Sequence, residues 1–140
     1  MSLFGTLSIA GSGMSAESER LSAIASNIAN ANSAVSGGGQ PYRAREVVFQ
    51  AASLAGDDGD EASSSGMQGV KVAGIVESAA PTRTVYDPSS SFADGNGYVQ
   101  MPNVNPVDEM VNMISAQQDY QANLEAFNVA KTLAMHTLTI

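Results

Sequence analysis

Apolar residues recur at alternating steps of three and four positions near both ends of the chain. The first apolar stripe comprises Leu3, Leu7, Ala10, Met14, Leu21, Ile24 and Ile28. This spacing repeats one face of an α-helix and is typical of a coiled-coil seam, and Glu17 interrupts it. Gly11 and Gly13 each cost about 1 kcal/mol of helix propensity relative to alanine. We therefore predict a helix that is secure from Met14 to about Asn30 and weaker before Met14.

The last segment carries a second apolar stripe and a marked beginning. Asn105 is a good N-cap, Pro106 suits the first helical position, and Asp108 stands where a capping-box acid stands. The stripe comprises Met110, Met113, Tyr120, Leu124, Phe127, Ala134 and Leu138, widened by Val107 and Ile114. Gln117 and Lys131 interrupt it, but no helix breaker follows. We predict a helix over residues 105–140.

The middle of the chain lacks this periodicity and is rich in glycine and serine. Short runs rich in β-forming residues predict strands at Tyr42–Ala51, Gly69–Ser78 and Thr82–Tyr86. The turn formers at Asp94–Gly97 predict a hairpin or a tight turn. The predicted fold class is mainly α with a small β-containing middle, in which the long N- and C-terminal helices pair as a coiled coil. Its three segments are residues 1–33, 34–104 and 105–140.

Both predicted helices lack a charged side. Between Met1 and Ala34 the only charged residues are Glu17, Glu19 and Arg20. The last segment spreads its charges thinly, at Asp108, Glu109, Asp119, Glu125 and Lys131. A helix that faces solvent usually carries a charged face, and small side chains let other helices approach closely. We infer that both helices pack against neighbours on more than one side.

Net charge and composition exclude several classes of protein. The formal net charge is −8 and the six basic residues are scattered, which disfavours a nucleic-acid surface. The chain has no cysteine, so disulfides and thiolate metal sites are excluded. The N-terminus has neither the basic region of a signal peptide nor an apolar run long enough to span a membrane. We expect no direct membrane insertion.

The candidate catalytic and metal-binding groups are few. An acidic run, Asp57, Asp58, Asp60 and Glu61, lies in a stretch without large apolar residues, at about residues 55–66. Twelve-residue EF-hand registers from its first two acids end in Gln68 or Gly69, where a glutamate is needed. We interpret the run as a mobile, solvated loop. His136 is the only histidine, and no nucleophile elbow, phosphate loop or zinc motif is present. We predict no enzyme activity, catalytic residue, cofactor or metal.

The first helix ends in an asparagine-rich run. It reads Ser26-Asn27-Ile28-Ala29-Asn30-Ala31-Asn32-Ser33, and Pro41-Tyr42-Arg43 follows before the first predicted strand. Taken alone, the run fits a helix C-cap and loop, because asparagine tolerates the left-handed conformation that ends helices. The run also resembles the S-N-x-A-N-A-x-[ST] signature of the flagellar axial-protein family, the rod and hook subunits. Met113–Gln117 and Tyr120–Asn123 are similar to that family's M-x-x-A-x-x-x-Y-x-A-N helix.

Within that family, three stretches of the chain resemble a proximal-rod subunit. They are Gly37–Gln50, Gly97–Ala116 and Thr137–Thr139, so the resemblance covers most of residues 3–50 and 84–140. Two positions depart from the family pattern. Ser33 stands where threonine is common, and Gln118-Asp119 replaces the pair containing arginine or serine that often precedes Tyr120. The acidic loop is unmatched.

The resemblance implies a structural role. A rod subunit would leave the cytoplasm unfolded through the flagellar type III export apparatus, without a cleaved signal peptide, and assemble in the periplasm. Its partners would be other rod subunits and copies of itself, in the tubular shaft that transmits torque from motor to hook.

Two sets of residues would carry this role. The first is the assembly seam: Leu7, Met14, Leu21, Ile24 and Ile28 in the first helix, with Met110, Ile114, Tyr120, Leu124, Phe127 and Leu138 in the last. The second is the family motif: Ser26, Asn27, Ala29, Asn30, Asn32, Pro41, Tyr42, Ala122 and Asn123. The alternatives are a soluble helical adaptor of a secretion system, which would share the helices but not the motifs, and an envelope hydrolase that uses carboxylates of the middle segment.

Overall fold

The computed structural model describes residues 3–35, 39–54 and 68–138, without the side chain of Leu138. The elements in chain order are α1 (Leu3–Asn30), β1 (Arg45–Ser53), β2 (Gln68–Glu77), β3 (Arg83–Tyr86), β4 (Tyr98–Met101) and α2 (Pro106–Leu138). Two long terminal helices with a small β middle confirm the predicted mainly α fold. The acidic loop predicted at about residues 55–66 lies outside the described residues.

Helix α1 begins earlier than its glycine content suggests. It is continuous from Leu3, although the sequence predicted a secure helix only from Met14. Tertiary packing explains the difference, because a Cβ built at Gly13 would lie 3.0 Å from the side-chain atoms of Asn123 on α2. The missing side chain therefore permits close packing of the helices at this point, which outweighs the weak intrinsic propensity.

Helix α2 begins as its N-terminal sequence predicted. The Oδ1 atom of Asn105 accepts a hydrogen bond of 3.1 Å from the backbone N–H of Val107, and the side-chain amide of Asn105 donates to Asp108 at 2.8 Å. Pro106 occupies the first helical position, where a backbone N–H is not needed. These contacts confirm the predicted cap.

Among the described residues, the strands form two separate two-stranded sheets. One consists of β1 and β2, and the other pairs β3 with β4 in antiparallel register, Arg83 opposite Met101 and Tyr86 opposite Tyr98. The three predicted strands are confirmed within a few residues, whereas β4 was missed. It is short and follows directly after the glycine-rich turn, so it offers too little alternation to detect.

A tight turn precedes β4, where the sequence predicted one. Gly97 has a φ of 82°, and its backbone N–H donates to the carbonyl of Asp94 at 3.0 Å. A Cβ at Gly97 would lie 2.9 Å from the ring of Tyr86, so glycine is required here by both its conformation and the space available.

The chain divides into two compact units. The first unit consists of Met1–Leu21, Val47–Gly74 and Ser115–Ile140, and the second of Ser22–Glu46 and Ile75–Ile114. Most of their buried apolar residues are small: Ala10, Ala16, Ala116 and Ala130 in the first unit, and Ala23, Ala31, Ala44, Val99 and Val104 in the second, where the larger Ile24 is buried as well. Within the described ranges, no helix is long and apolar enough to cross a membrane.

Candidate functional site

Asn27, from the asparagine-rich motif, lies at the centre of a hydrogen-bond cluster in the second unit. Its side chain is 1% exposed. The amide nitrogen donates to the carbonyl of Arg45 at 2.9 Å and to the carboxylate of Glu109 at 3.1 Å. The amide oxygen accepts from the backbone N–H of Arg45 at 2.8 Å and from the hydroxyl of Tyr42 at 2.9 Å. Both amide donors and both acceptor sites are therefore used.

Tyr42, in the segment before β1, also belongs to this cluster through its hydroxyl and its ring. Its hydroxyl lies 3.1 Å from the hydroxyl of Ser26, and the guanidinium of Arg45 lies 5.7 Å from the centre of its ring. The distance to the ring is within the range of a cation–π contact. Residues of α1, of β1 and of the beginning of α2 thus meet at one buried amide, which fixes where the chain goes when α1 ends.

The other motif residues divide into two groups. The side-chain amide of Asn30 donates to the carbonyl of Ser26 at 2.8 Å, and the carbonyl of Asn30 accepts from the Ser33 hydroxyl at 2.8 Å. Asn32 and Ala29 are exposed. Within residues 3–35, 39–54 and 68–138, no non-glycine residue has a positive φ. Asn27 and Asn30 therefore act through their side chains, and none of the three asparagines supplies a left-handed helix end.

A second amide, Asn103, ties together the segments around this cluster, and sequence reasoning missed it. Its Oδ1 accepts from the backbone N–H of Ala44 at 2.8 Å, and its nitrogen donates to the carbonyl of Ala80 at 3.0 Å. The signal in the sequence was a single polar residue between Pro102 and Val104, just before a helix. The structure shows that both of these neighbours are buried. Glu109 was missed as well, because nothing in its sequence context marks it as a partner of Asn27.

Helices α1 and α2 pack antiparallel within the first unit, since Gly13 lies against Asn123 and Arg20 lies near Asp119. The buried and half-buried positions of α2 from residue 113 to residue 134 are Met113 in the second unit and Ala116, Tyr120, Asn123, Phe127, Ala130 and Ala134 in the first. Four of these positions, Met113, Tyr120, Phe127 and Ala134, belong to the predicted stripe. The other three, Ala116, Asn123 and Ala130, each lie one residue before a position of that stripe. The covered strip of α2 therefore carries smaller side chains than the predicted stripe, with alanine at positions 116 and 130.

A charged trio, Glu17 and Arg20 of α1 with Asp119 of α2, lies where the two helices meet in the first unit. Glu17 is 9% exposed, at the position that interrupts the apolar stripe. The guanidinium of Arg20 lies 3.4 Å from the carboxylate of Glu17 and 3.6 Å from that of Asp119. Desolvation raises the pKa of Glu17, with a further upward contribution from Asp119, while the charge of Arg20 opposes the shift. A buried, ionised carboxylate here costs folding free energy at neutral pH.

Strand β2 also approaches α1 closely in the first unit. The backbone N–H of Val70 donates to the hydroxyl of Ser12 at 3.1 Å, and a Cβ at Gly69 would lie 2.6 Å from that hydroxyl oxygen. A larger residue at this position would push the strand away from the helix.

In the second unit, α2 has an exposed apolar face that no described residue covers closely. Its residues Val107, Met110, Val111 and Ile114 are each more than half exposed.

The predicted seam residues differ widely in burial. Ile24 is buried, and Leu7, Met14, Leu21, Ile28, Tyr120 and Phe127 are half-buried. Met110, Ile114 and Leu124 are exposed, and the side chain of Leu138 lies outside the described residues. Of the remaining motif residues, Pro41 and Asn123 are half-buried and Ala122 is exposed. The contribution of the seam residues to assembly stays a prediction.

No catalytic arrangement is found among these groups. Within the part of the chain that the structure describes, no three His, Asp or Glu residues are placed to hold a metal ion. Every buried side-chain nitrogen and oxygen there has a hydrogen-bond partner. The clusters are built to hold segments of the chain together.

Two family models match the chain at its ends. Residues 7–37 match the flagella basal body rod protein model, and residues 96–140 match the C-terminal model of the flagellar basal body rod FlgEFG proteins. The first range contains the asparagine-rich motif, and the second contains all of α2.

Similarity to individual proteins extends over the whole chain. The flagellar basal-body rod protein FlgC of Salmonella typhimurium is 49% identical over 140 residues, which are 100% of this chain and 98% of that protein. FlgC of Escherichia coli O157:H7 is 48% identical over the same shares, and FlgC of Buchnera aphidicola subsp. Baizongia pistaciae is 35% identical over 142 residues. With this identity along its full length, the chain belongs to the FlgC family of flagellar basal-body rod proteins.

Proposed function

We propose that the chain is a structural subunit of the proximal flagellar rod and that it assembles through its terminal helices into the tubular shaft that transmits torque from motor to hook. Family membership carries the rod assignment, since FlgC relatives match along the full length. The family is structural, and the chain is not an enzyme.

The observation that best supports assembly through the helices is the uncovered apolar face of α2. Val107, Met110, Val111 and Ile114 follow steps of three, one and three, so they lie on one side of the helix, and each is more than half exposed. Further along the same helix Val129, Leu133 and Met135 are also more than half exposed. A contiguous apolar face of this kind marks a surface that a partner covers. We assign the partners as other rod subunits and further copies of the chain.

We further propose that α1 and α2 pair as a coiled coil in the assembled subunit. The buried and half-buried positions of α2 alternate by three and four residues from Met113 to Ala134, as knobs of a coiled coil do. The predicted seam residues that remain exposed, Met110, Ile114 and Leu124, are then free to pack against neighbouring subunits.

The Asn27 cluster has a mechanical role in this proposal. A shaft that transmits torque needs subunits whose helices and strands keep fixed positions within each compact unit. The four hydrogen bonds of Asn27 hold the end of α1 against the beginning of β1 and of α2. Since hydrogen bonds are directional, they set an angle where apolar contact alone would allow sliding.

The proposed location is the periplasmic rod of the basal body, reached through the flagellar type III export apparatus without a cleaved signal peptide. This part of the proposal rests on family membership. The two alternatives, an adaptor and an envelope hydrolase, gain no support from the comparisons, since basal-body rod proteins match the chain along its full length.

Mass spectrometry of detergent-extracted hook–basal bodies tests the proposal. The particles are purified from the source cells and washed until the membrane rings and the export apparatus are lost. We expect the chain to remain with the axial structure in amounts comparable to other rod subunits. Recovery of the chain only in the soluble fraction would refute the rod assignment and favour the adaptor.

A further inference from the structure

The turn between β3 and β4 contains Asn96, the one asparagine of the chain that is followed by a glycine. In an open chain, the backbone nitrogen of the residue after an asparagine can attack the carbonyl carbon of the asparagine side chain. Glycine favours this attack, because it has no side chain to hinder the approach and adopts the required backbone angles freely. Asn96 is also exposed, so water and base reach it. Sequence and exposure together mark Asn96 for spontaneous loss of its side-chain amide.

The hydrogen bonds of the closed turn oppose this attack. The backbone N–H of Gly97 donates to the carbonyl of Asp94 at 3.0 Å. One carboxylate oxygen of Asp94 accepts from the backbone N–H groups of Asn96 and Tyr98, at 2.9 Å each. The carbonyl of Gly97 accepts from the backbone N–H of Asp87 at 2.9 Å. Attack requires the Gly97 nitrogen to lose its proton and to turn towards the Asn96 side chain, so the turn must open first.

We propose that Asn96 is a site of covalent modification whose reaction the closed turn suppresses. A bond forms between the Gly97 nitrogen and Cγ of Asn96, while the bond from Cγ to Nδ2 breaks. The proton of the Gly97 nitrogen leaves with Nδ2 as ammonia. Water then opens the cyclic imide at either of its carbonyl carbons, which leaves aspartate or isoaspartate at position 96. Water is the only co-reactant.

The isoaspartate product does not fit this turn. Its main chain runs through Cβ, which adds a carbon before the Gly97 nitrogen. Gly97 has a φ of 82°, and a Cβ there would lie 2.9 Å from the Tyr86 ring and 3.2 Å from Pro88, so the turn has little room to adjust. Tyr86 pairs with Tyr98 directly beside it. Modification therefore opens the hairpin.

The reaction bears on a chain that stays unfolded before assembly. A chain held unfolded for transport, as the proposed function requires, lacks the closed turn and accumulates the modified form with time. That consequence alone rests on the proposed function, since the reaction itself depends only on the turn.

Peptide mapping of the full-length chain by mass spectrometry tests the proposal. The chain is incubated in mildly alkaline buffer, either folded or denatured in urea, and amide loss is followed at Asn96 and Asn32. Asn32 is also exposed but precedes serine, so it is the internal control. Two variants are followed without urea: Asp94→Ala, which removes the side-chain acceptor of the turn, and Asp87→Ala. Asp87 is the matched control, because its exposed carboxylate accepts from Ser89. Circular dichroism checks that both variants are folded.

In urea, we expect Asn96 to lose its amide faster than Asn32. In the folded chain the reaction at Asn96 should be at least about tenfold slower, because several hydrogen bonds of modest net strength must open together. Asp94→Ala should speed the reaction in the folded chain by at least about fivefold, whereas Asp87→Ala should leave it within about twofold.

Refolding the aged chain tests the effect on the hairpin. The native chain is aged in urea, returned to buffer and examined by hydrogen exchange. We expect the Tyr98 amide to lose protection in proportion to the isoaspartate content. Asn96→Gln, whose longer side chain closes an imide ring far more slowly, should regain full protection after the same treatment. Full protection of Tyr98 in the isoaspartate form would contradict the opening of the hairpin.

Three outcomes would overturn the proposal. Equal rates at Asn96 and Asn32 in urea would show that the following glycine does not activate Asn96. Equal rates at Asn96 in the folded and denatured chain would show that the turn gives no protection. An Asp94→Ala rate equal to that of the unchanged folded chain would show that the Asp94 carboxylate does not keep the turn closed. Retention in basal bodies is measured separately, so failure here and failure of the rod assignment are distinguishable.

Discussion

The two compact units bury different kinds of contact. In the second unit a 1% exposed amide, Asn27, makes four hydrogen bonds to Tyr42, Arg45 and Glu109. In the first unit, Gly13 and the buried alanines of α2 let the helices meet closely, and the polar contact is a loose trio with distances of 3.4 and 3.6 Å.

This difference has a mechanical consequence. A saturated amide accepts one geometry, because each displaced partner leaves a buried polar group without a hydrogen bond. Small apolar residues allow close approach but tolerate sliding, since each contact is weak and similar contacts recur along the helix. We therefore expect the second unit to hold its shape in the free chain and the first unit to depend more on its surroundings.

Replacing Asn27 should have the largest effect. Asn27→Leu keeps the volume but leaves the Tyr42 hydroxyl, the Arg45 backbone and the Glu109 carboxylate without this partner. We expect a loss of about 3 kcal/mol in the free energy of unfolding, measured by denaturant titration. Hydrogen exchange should accelerate at Tyr42 and Arg45 and change little at Val70 in the first unit.

Asn32→Leu is the matched control, since Asn32 belongs to the same motif but is exposed. Its free energy of unfolding should stay within about 0.5 kcal/mol of the native value. Equal losses for the two variants would mean that the motif acts through composition and not through the Asn27 cluster.

Widening the helix contact in the first unit should have an intermediate effect. In Gly13→Val the new side chain meets Asn123, which already lies 3.0 Å from a Cβ at that position, and overpacking of this kind costs about 2 kcal/mol. At Gly11 a Cβ would meet nothing within 4 Å, so Gly11→Ala should gain about 1 kcal/mol from helix propensity. Thermal unfolding of both variants by circular dichroism measures the contrast. A stabilising Gly13→Val would mean that the helices are not in close contact there.

The pH dependence of the charged trio should be the smallest effect. Desolvation raises the pKa of Glu17 above its ordinary value of 4.5, so the folded chain holds this proton to higher pH than the unfolded chain does. The contribution of Glu17 to stability is therefore greatest below pH 4.5 and declines as the pH rises through the pKa of the folded state.

Glu17→Gln removes this titration while keeping the size of the side chain. The stability difference between the variant and the native chain should be small at acid pH and favour the variant at neutral pH, as followed by denaturant titration across the pH range. Ser18→Ala, at an exposed position of the same helix that does not titrate, should show no such trend. A variant that loses stability at neutral pH would mean that the attraction of Arg20 outweighs the desolvation of Glu17.

The sequence was sufficient to predict the elements whose causes are local. The cap at Asn105 and the turn at Asp94–Gly97 depend on residues within a few positions of each other, and both are confirmed. The extent of α1 was underestimated because Gly13 is favoured by a contact with Asn123, far away in the chain. Propensity measures the cost of that glycine but not its packing partner.

In the candidate site, too, the sequence marks some residues but not the distant residues that they contact. The spacing of the motif marked Asn27, and Glu17 stood out as the defect in an apolar stripe. Glu109, which accepts from Asn27, lies 82 residues further along the chain on the other helix. Glu17 pairs with Arg20 on its own helix, and Arg20 lies near Asp119 on the other helix. No local pattern links these distant residues. The covered positions Ala116, Asn123 and Ala130 of α2 each lie one residue before a position of the predicted stripe, because the spacing rule followed the large apolar residue Leu124 and passed over small side chains.

The measurement that bears most on assembly through the exposed helix faces is the rod content of a Leu124→Asp variant. Leu124 is 40% exposed, so we expect the purified variant to keep the helix content and melting temperature of the native chain. Gln121→Asp places the same charge one turn away, at an exposed polar position of the same helix, and serves as control.

Each variant replaces the only copy in the source cells, and quantitative mass spectrometry measures the chain in extracted hook–basal bodies. We predict that Gln121→Asp is incorporated at the native level and that Leu124→Asp is absent from the particles although it is folded. Functional rods with native amounts of Leu124→Asp would contradict assembly through this face of α2.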